Sequence, residues 1–160
     1  GGPRVMARAA RRTGGETVFE PRHRAREAAV QMLYQWEVGR LPMSDVVETF
    51  WLHGDQADSA IVGTDHQMFA QALAAGVADT VGNLDPVIVD AATNWRIERM
   101  NVVDRLILRL AVYEFLHEPA TPAAVIIDEA LELARTFSDA DSVRFVNGIL
   151  DAVRRRLERE

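Results

Sequence analysis

The stretch Val102–Leu116 (VVDRLILRLAVYEFL) constrains this chain more than any other. Val103, Leu106, Ile107, Leu110 and Tyr113 form one stripe at helical spacing. Val102, Leu108, Val112, Phe115 and Leu116 carry apolar cover to most other directions. A helix that is apolar on nearly every side is stable only when other helices wrap it. The stretch is too short for a bilayer and carries Asp104, Arg105, Arg109 and Glu114, so it is not read as a membrane span. Asn101, with Asp104 three residues on, supplies an N-cap signal. The pattern predicts a central helical post inside an all-helical domain.

Helical periods recur on both sides of the post. The segment from Pro21 to Val38 buries Ala25, Ala28, Ala29, Met32, Leu33 and Trp36 at i, i+3, i+4 spacing, with Pro21 suited to a first helical position and Gly39 to a stop. A second ridge of the same helix runs Arg22, Arg26, Val30, Tyr34 and is expected along one flank. A short helix follows, from about Pro42 or Ser44 to Trp51, and His53 to Gly63 reads as loop. Thr64 and Gln67 make a capping box for a helix to about Val81, and Asn83 caps another over about Asp85 to Thr93. In the link Asn94 to Met100, Trp95 and Ile97 are expected buried, and Arg96, Glu98 and Arg99 exposed. After the post, Pro122 opens a helix to Phe137, and Ser142 is expected to cap a last one, about Val143 to Leu157, ending in a solvated charge run. No stretch alternates with a period of two. The expectation is all-α, about seven helices, with halves dividing near Gly82.

Charge is unevenly placed. All 18 basic residues are Arg, which a high-GC genome explains without special chemistry. Residues 1–26 hold seven Arg and two Glu, a balance of +5, against a net −6 for the whole chain. A basic arm on an acidic body suits nucleic acid or another anionic surface, and equally a solvated tail. Residues 1–20 are read as a disordered basic arm, in which GGPRV precedes a native start at Met6, and 21–160 as a single helical domain. The chain has no cysteine, so disulfides and thiolate metal sites are excluded. With no signal-peptide pattern, a cytoplasmic protein is expected.

Nothing in the sequence suits catalysis. His23, His53, His66 and His117 stand at no metal-ligand spacing, and no nucleophile elbow or phosphate-cradling glycine loop occurs. No catalytic residue, metal or cofactor is expected. Nucleic-acid binding has more behind it. Arg22, Arg24 and Arg26 continue the basic arm into the first helix, where guanidiniums neutralise phosphate. Tyr34, two turns on, offers either a stacking face or a half-buried ring with its hydroxyl at the surface. A helix starting at Ser142 offers free N–H groups to a phosphate, with Asp141, Arg144 and Phe145 nearby, although Phe145 also suits a core. Asn147 and Gly148 fall mid-helix, where Gly costs about 1 kcal/mol against Ala; close helix packing at Gly148 is the plainest explanation.

These motifs together resemble the transcription antitermination factor NusB family. The resemblance rests on RHRAREAAVQMLYQWE, NWRIERMNVVDRLILRLAVYEF, PAAVIIDEALELARTF and DSVRFVNGIL, in this order over about Arg22 to Leu150. It implies an all-α fold of two packed helical subdomains. It also implies binding of single-stranded boxA-type RNA together with ribosomal protein NusE, in a complex of Nus factors on RNA polymerase at ribosomal RNA operons. Carried onto this chain, it assigns Arg22, Arg24, Arg26, Tyr34, Asp141, Ser142 and Phe145 to RNA, and Glu98, Asp104 and Tyr113 to the NusE side. His23 stands where the family frequently has Arg, and Trp51 to Gly63 has no functional match. Some family members self-associate across the RNA-binding side, so a homodimer is a partner to test; no membrane is expected. Two rivals remain at this point. One is the NusB-like domain fused to some RNA methyltransferases, against which stands the lack of a nucleotide-binding sheet after the last helix. The other is an adaptor that binds protein and no RNA.

Overall fold

The computed structural model describes residues 20–52 and 64–159, and these contain only helices and their connections. The expected arm up to Phe19 and the loop His53 to Gly63 lie outside the described residues. Six α-helices occur among the described residues: α1 (Glu20–Glu37), α2 (Met43–Thr49), α3 (Thr64–Ala91), α4 (Val102–His117), α5 (Ala123–Phe137) and α6 (Ala140–Arg156). Short 3-10 turns cover Phe50–Leu52 and Ile97–Arg99.

The two helices expected between Thr64 and Thr93 run together as α3, with a break at Thr80 (φ −119°, ψ 15°). Pro86 weakens the helix just past that break. Its ring removes one helical hydrogen bond and crowds the carbonyl four residues back, at Gly82. By length and composition α3 is apolar enough to cross a bilayer. The break, Pro86 and the carboxylates of Asp79, Asp85 and Asp90 instead suit a core helix in two parts. The described residues fall into two compact units that divide between Ala78 and Asp79, within two residues of the break.

In the first unit, α1 packs on α2. Its buried apolar residues are Ala25, Ala28, Ala29, Met32 and Leu33 from α1, Val46 and Phe50 after it, and Ala70, Leu73, Ala74 and Val77 from α3. The small residues of α1 at i, i+3, i+4 spacing let neighbouring backbones approach. Trp36, expected in this core, is half-buried.

In the second unit, α4, α5 and α6 pack on one another. The central post is realised as α4. Its consecutive residues Leu106 to Ala111 are all buried, and consecutive burial means contact on every side. Asn101 caps it, its Oδ1 accepting from the Val103 N–H at 2.8 Å. Arg109, itself buried, forms a two-pronged bond to Asp85 (2.8 and 2.9 Å) and ties α4 to the end of α3. From α5, Ile126, Ala130, Leu133, Ala134 and Phe137 are buried, and from α6, Val146, Ile149, Leu150 and Val153. The C-terminal charge run is more than a solvated end. The Arg159 guanidinium donates to the carbonyls of Phe115, Glu118 and Thr121, so it satisfies groups that the end of α4 leaves open.

Candidate nucleic-acid interface

The start of α1 separates residues that look alike in sequence. Arg22 is exposed, Arg24 half-buried and Arg26 only 2% exposed. Two guanidiniums bracket one ring: Arg22 lies 4.4 Å and Arg26 5.5 Å from the centroid of Phe69, within cation–π range. His23 and Glu27 are also buried, with Nε2 and Oε1 3.9 Å apart. Val30, in the middle of the same ridge, is 1% exposed, whereas Tyr34 at its end is 37% exposed. The ridge therefore offers a ligand its two ends, Arg22 and Tyr34, while Arg26 serves the interior.

At the start of α6 the expected cap is displaced. The helix begins at Ala140 and Asp139 is its N-cap, accepting from the Ser142 N–H at 2.8 Å. Ser142 sits in the first turn, buried, with that N–H already taken; it does not leave it open to a phosphate. The reason is that Asp139 stands three residues earlier, the spacing at which a carboxylate reaches a helix's first free N–H groups. The Ser142 hydroxyl donates to Asp104 Oδ2 at 3.1 Å, so Ser138 Oγ, 2.6 Å away, is the donor to Ser142 Oγ. Asp104 is 5% exposed, its Oδ1 meets no hydrogen-bond partner among the described residues, and burial holds its pKa above the usual carboxylate value. The nearby Asp139 charge acts in the same direction, and the Ser142 hydrogen bond opposes both. Asp104, expected to face a partner, thus acts on α6 from inside.

The outer face of this helix carries different chemistry. Asp141 and Arg144 are exposed and form an ion pair with each other. Phe145, one turn on from Asp141, is half-buried, and Trp95 meets it edge-on, with centroids 5.2 Å apart and planes at 75°. Trp95 was expected in the core but is 54% exposed. Its backbone ends a turn closed by Ala92, and the next residues are latched by Arg105, whose Nη1 donates to the Ile97 and Met100 carbonyls. That latch buries Ile97 and leaves Trp95 outside. Asn147 and Gly148 are exposed as well, and a Cβ at Gly148 meets nothing within 4 Å, so close helix packing does not explain the glycine.

Trp95 also borders a groove of about 550 Å³ lined by Val89, Arg96, Ile97, Glu98 and Arg99. Glu98 is exposed there, as expected. Tyr113 is half-buried, its ring 4.5 Å from that of His117. Burial first, then the charges of Glu118 and Asp79, hold its pKa above the usual phenol value, so it is a neutral hydroxyl. Trp95 is the surface residue that sequence reasoning missed. The only available cue was its place between Asn94 and Arg96, a polar setting for a ring.

Residues 23–155 match the family model described as the NusB family. The transcription antitermination protein NusB of Solibacter usitatus is 44% identical over 138 residues, covering 85% of this chain and 90% of that protein. The protein of the same name from Sorangium cellulosum is 42% identical over 140 residues, covering 86% and 94%. Among solved structures, T. maritima NusB superposes with a TM-score of 0.74 at 32% identity, covering 84% of this chain and 91% of that one. A crystal structure of NusB and NusE in complex with dsRNA has the same fold, with a TM-score of 0.71 at 20% identity over 87% of this chain and 99% of that one. The curated relatives are named for transcription antitermination rather than for a reaction. On the breadth of these matches, this chain belongs to the NusB family.

Proposed function

We propose that this chain is an RNA-binding antitermination factor without enzymatic activity. It binds single-stranded boxA-type RNA together with NusE, within the Nus-factor assembly on RNA polymerase at ribosomal RNA operons of the cytoplasm. The observation that carries this reading is membership of a family whose curated relatives are named for transcription antitermination. A related fold in complex with NusE and dsRNA supports the choice of NusE and of RNA as partners. In the mechanism, Arg22 and Arg24 neutralise phosphates, Tyr34 and Phe145 offer ring faces to bases, and Asp141 accepts from a base amino group. Arg26 acts through the Phe69 ring that it shares with Arg22, and Ser142 by holding the first turn of α6 on Asp104. Glu98 and Tyr113 serve the NusE side, with Asp104 behind them.

A gel shift of labelled boxA-type RNA, with and without NusE at matched salt, tests this. The expected result is a shift that strengthens with NusE and weakens steeply as salt rises. No shift under either condition overturns the proposal and leaves a protein-only adaptor.

A further inference from the structure

The groove beside α6 contains features that the assigned RNA residues do not use. Trp95 is a large ring left 54% exposed, which is unusual for a side chain that gains so much from burial. It is not a loose surface ring. Phe145 braces it edge-on at 5.2 Å, and the Arg105 latch fixes the turn that follows it. Arg96 and Arg99 line the same groove, both exposed and neither in an ion pair among the described residues. Arg144, by contrast, is neutralised by Asp141 on the neighbouring face. The groove, about 550 Å³, has the volume of a small-ligand site. A braced ring with an open face beside two exposed guanidiniums matches the way single strands are held, base on ring and phosphate on arginine. Glu98, also in the groove and assigned above to the NusE side, disfavours a phosphate at its own position.

We propose that this groove is a further nucleotide site of the single-stranded RNA track. Trp95 stacks one base, and Arg96 and Arg99 hold the adjoining phosphates. The inference rests on the RNA-binding reading above and adds to it one nucleotide beyond those met by Phe145. The open backbone at Gly148, one turn past Phe145 on α6, leaves room for the strand along that helix.

The test uses the full chain and a labelled single-stranded boxA-type RNA extended by a few nucleotides at each end. Trp36→Phe and Trp51→Phe together make Trp95 the remaining tryptophan, since the chain has three. RNA is expected to quench its fluorescence at saturation. Trp95→Ala is expected to weaken RNA binding about tenfold or more, Trp95→Phe to restore most of the loss, and Arg96→Ala with Arg99→Ala to lower the salt dependence. Circular dichroism and melting confirm that each variant folds. Wild-type binding with an unchanged Trp95→Ala affinity and no quenching overturns this site alone. So does a Trp95→Ala variant that loses NusE but keeps RNA, since the groove then serves protein. No wild-type binding to any RNA overturns the RNA-binding reading itself.

Discussion

The starts of α1 and α6 carry similar ingredients, charged side chains around an aromatic, and use them in opposite ways. At α1 the charge goes inward: His23, Arg26 and Glu27 are buried, and Arg26 faces the Phe69 ring. At α6 the polar groups that face inward are a hydroxyl and one carboxylate, Ser142 and Asp104, while Asp141 and Arg144 face solvent. The difference is one of what the helix packs against. A buried guanidinium is tolerable where a ring face compensates part of its desolvation. The first turn of α6 meets the buried Asp104 of α4 with a hydroxyl, which costs less to desolvate than a second charge. An arginine-rich helix start is therefore not by itself a phosphate-binding surface.

Substitutions at the two sites break or sharpen this contrast. The largest effect is expected for Arg26→Ala. Removing a buried guanidinium loses its stem packing and strips its neighbours of their partner, at a cost of about 3 kcal/mol in denaturant unfolding. A variant as stable as wild type contradicts the interior role of Arg26. Gly148→Ala is expected to act in the opposite direction. The Cβ meets open space, so the helix gains about 0.5–1 kcal/mol, read as a higher midpoint with unchanged m-value. A loss of stability there restores the close-packing explanation. Asp104→Asn is expected to raise Tm slightly at neutral pH. Because burial holds the folded-state pKa of Asp104 above its unfolded value, the stability tied to its proton is complete at acid pH and is lost as pH rises through the folded pKa. The gain from asparagine therefore shrinks as the pH is lowered toward about 4. A gain that is the same at every pH assigns the effect to something other than ionisation.

Much of this arrangement was legible beforehand. Strong periodicity with caps fixed α1, α4 and α5, because the apolar face and the helix ends report the same boundaries there. The central post kept its role from Leu106 to Phe115, while Leu116 at its end is exposed. What failed were judgements about which way a polar or amphipathic side chain faces. Val30, 1% exposed between Arg26 and Tyr34, was an available hint that their ridge dips inward. Nothing in the local pattern distinguished Trp95 from Ile97, since the choice is made by the Arg105 side chain reaching back to carbonyls from the next helix. The α6 cap was misplaced because Asp139 and Ser142 are both good capping residues, and only the buried carboxylate on α4 decides that the serine turns inward. The α3 break was expected as a gap between two helices; the pattern showed where the period changes but not that the backbone carries on through it.

RNA binding by the exposed end of the α1 ridge is the central expectation. The decisive measurement is the salt dependence of boxA-type RNA affinity, compared between wild type and Arg22→Ala with NusE present. Arg22 is at the surface and its one described contact is with the Phe69 ring, so the substitution should change stability by no more than about 1 kcal/mol. It should weaken binding and reduce the slope of log K against log salt by about 0.7, the contribution of one phosphate contact on a single strand. An unchanged slope and affinity in a folded variant would contradict the account.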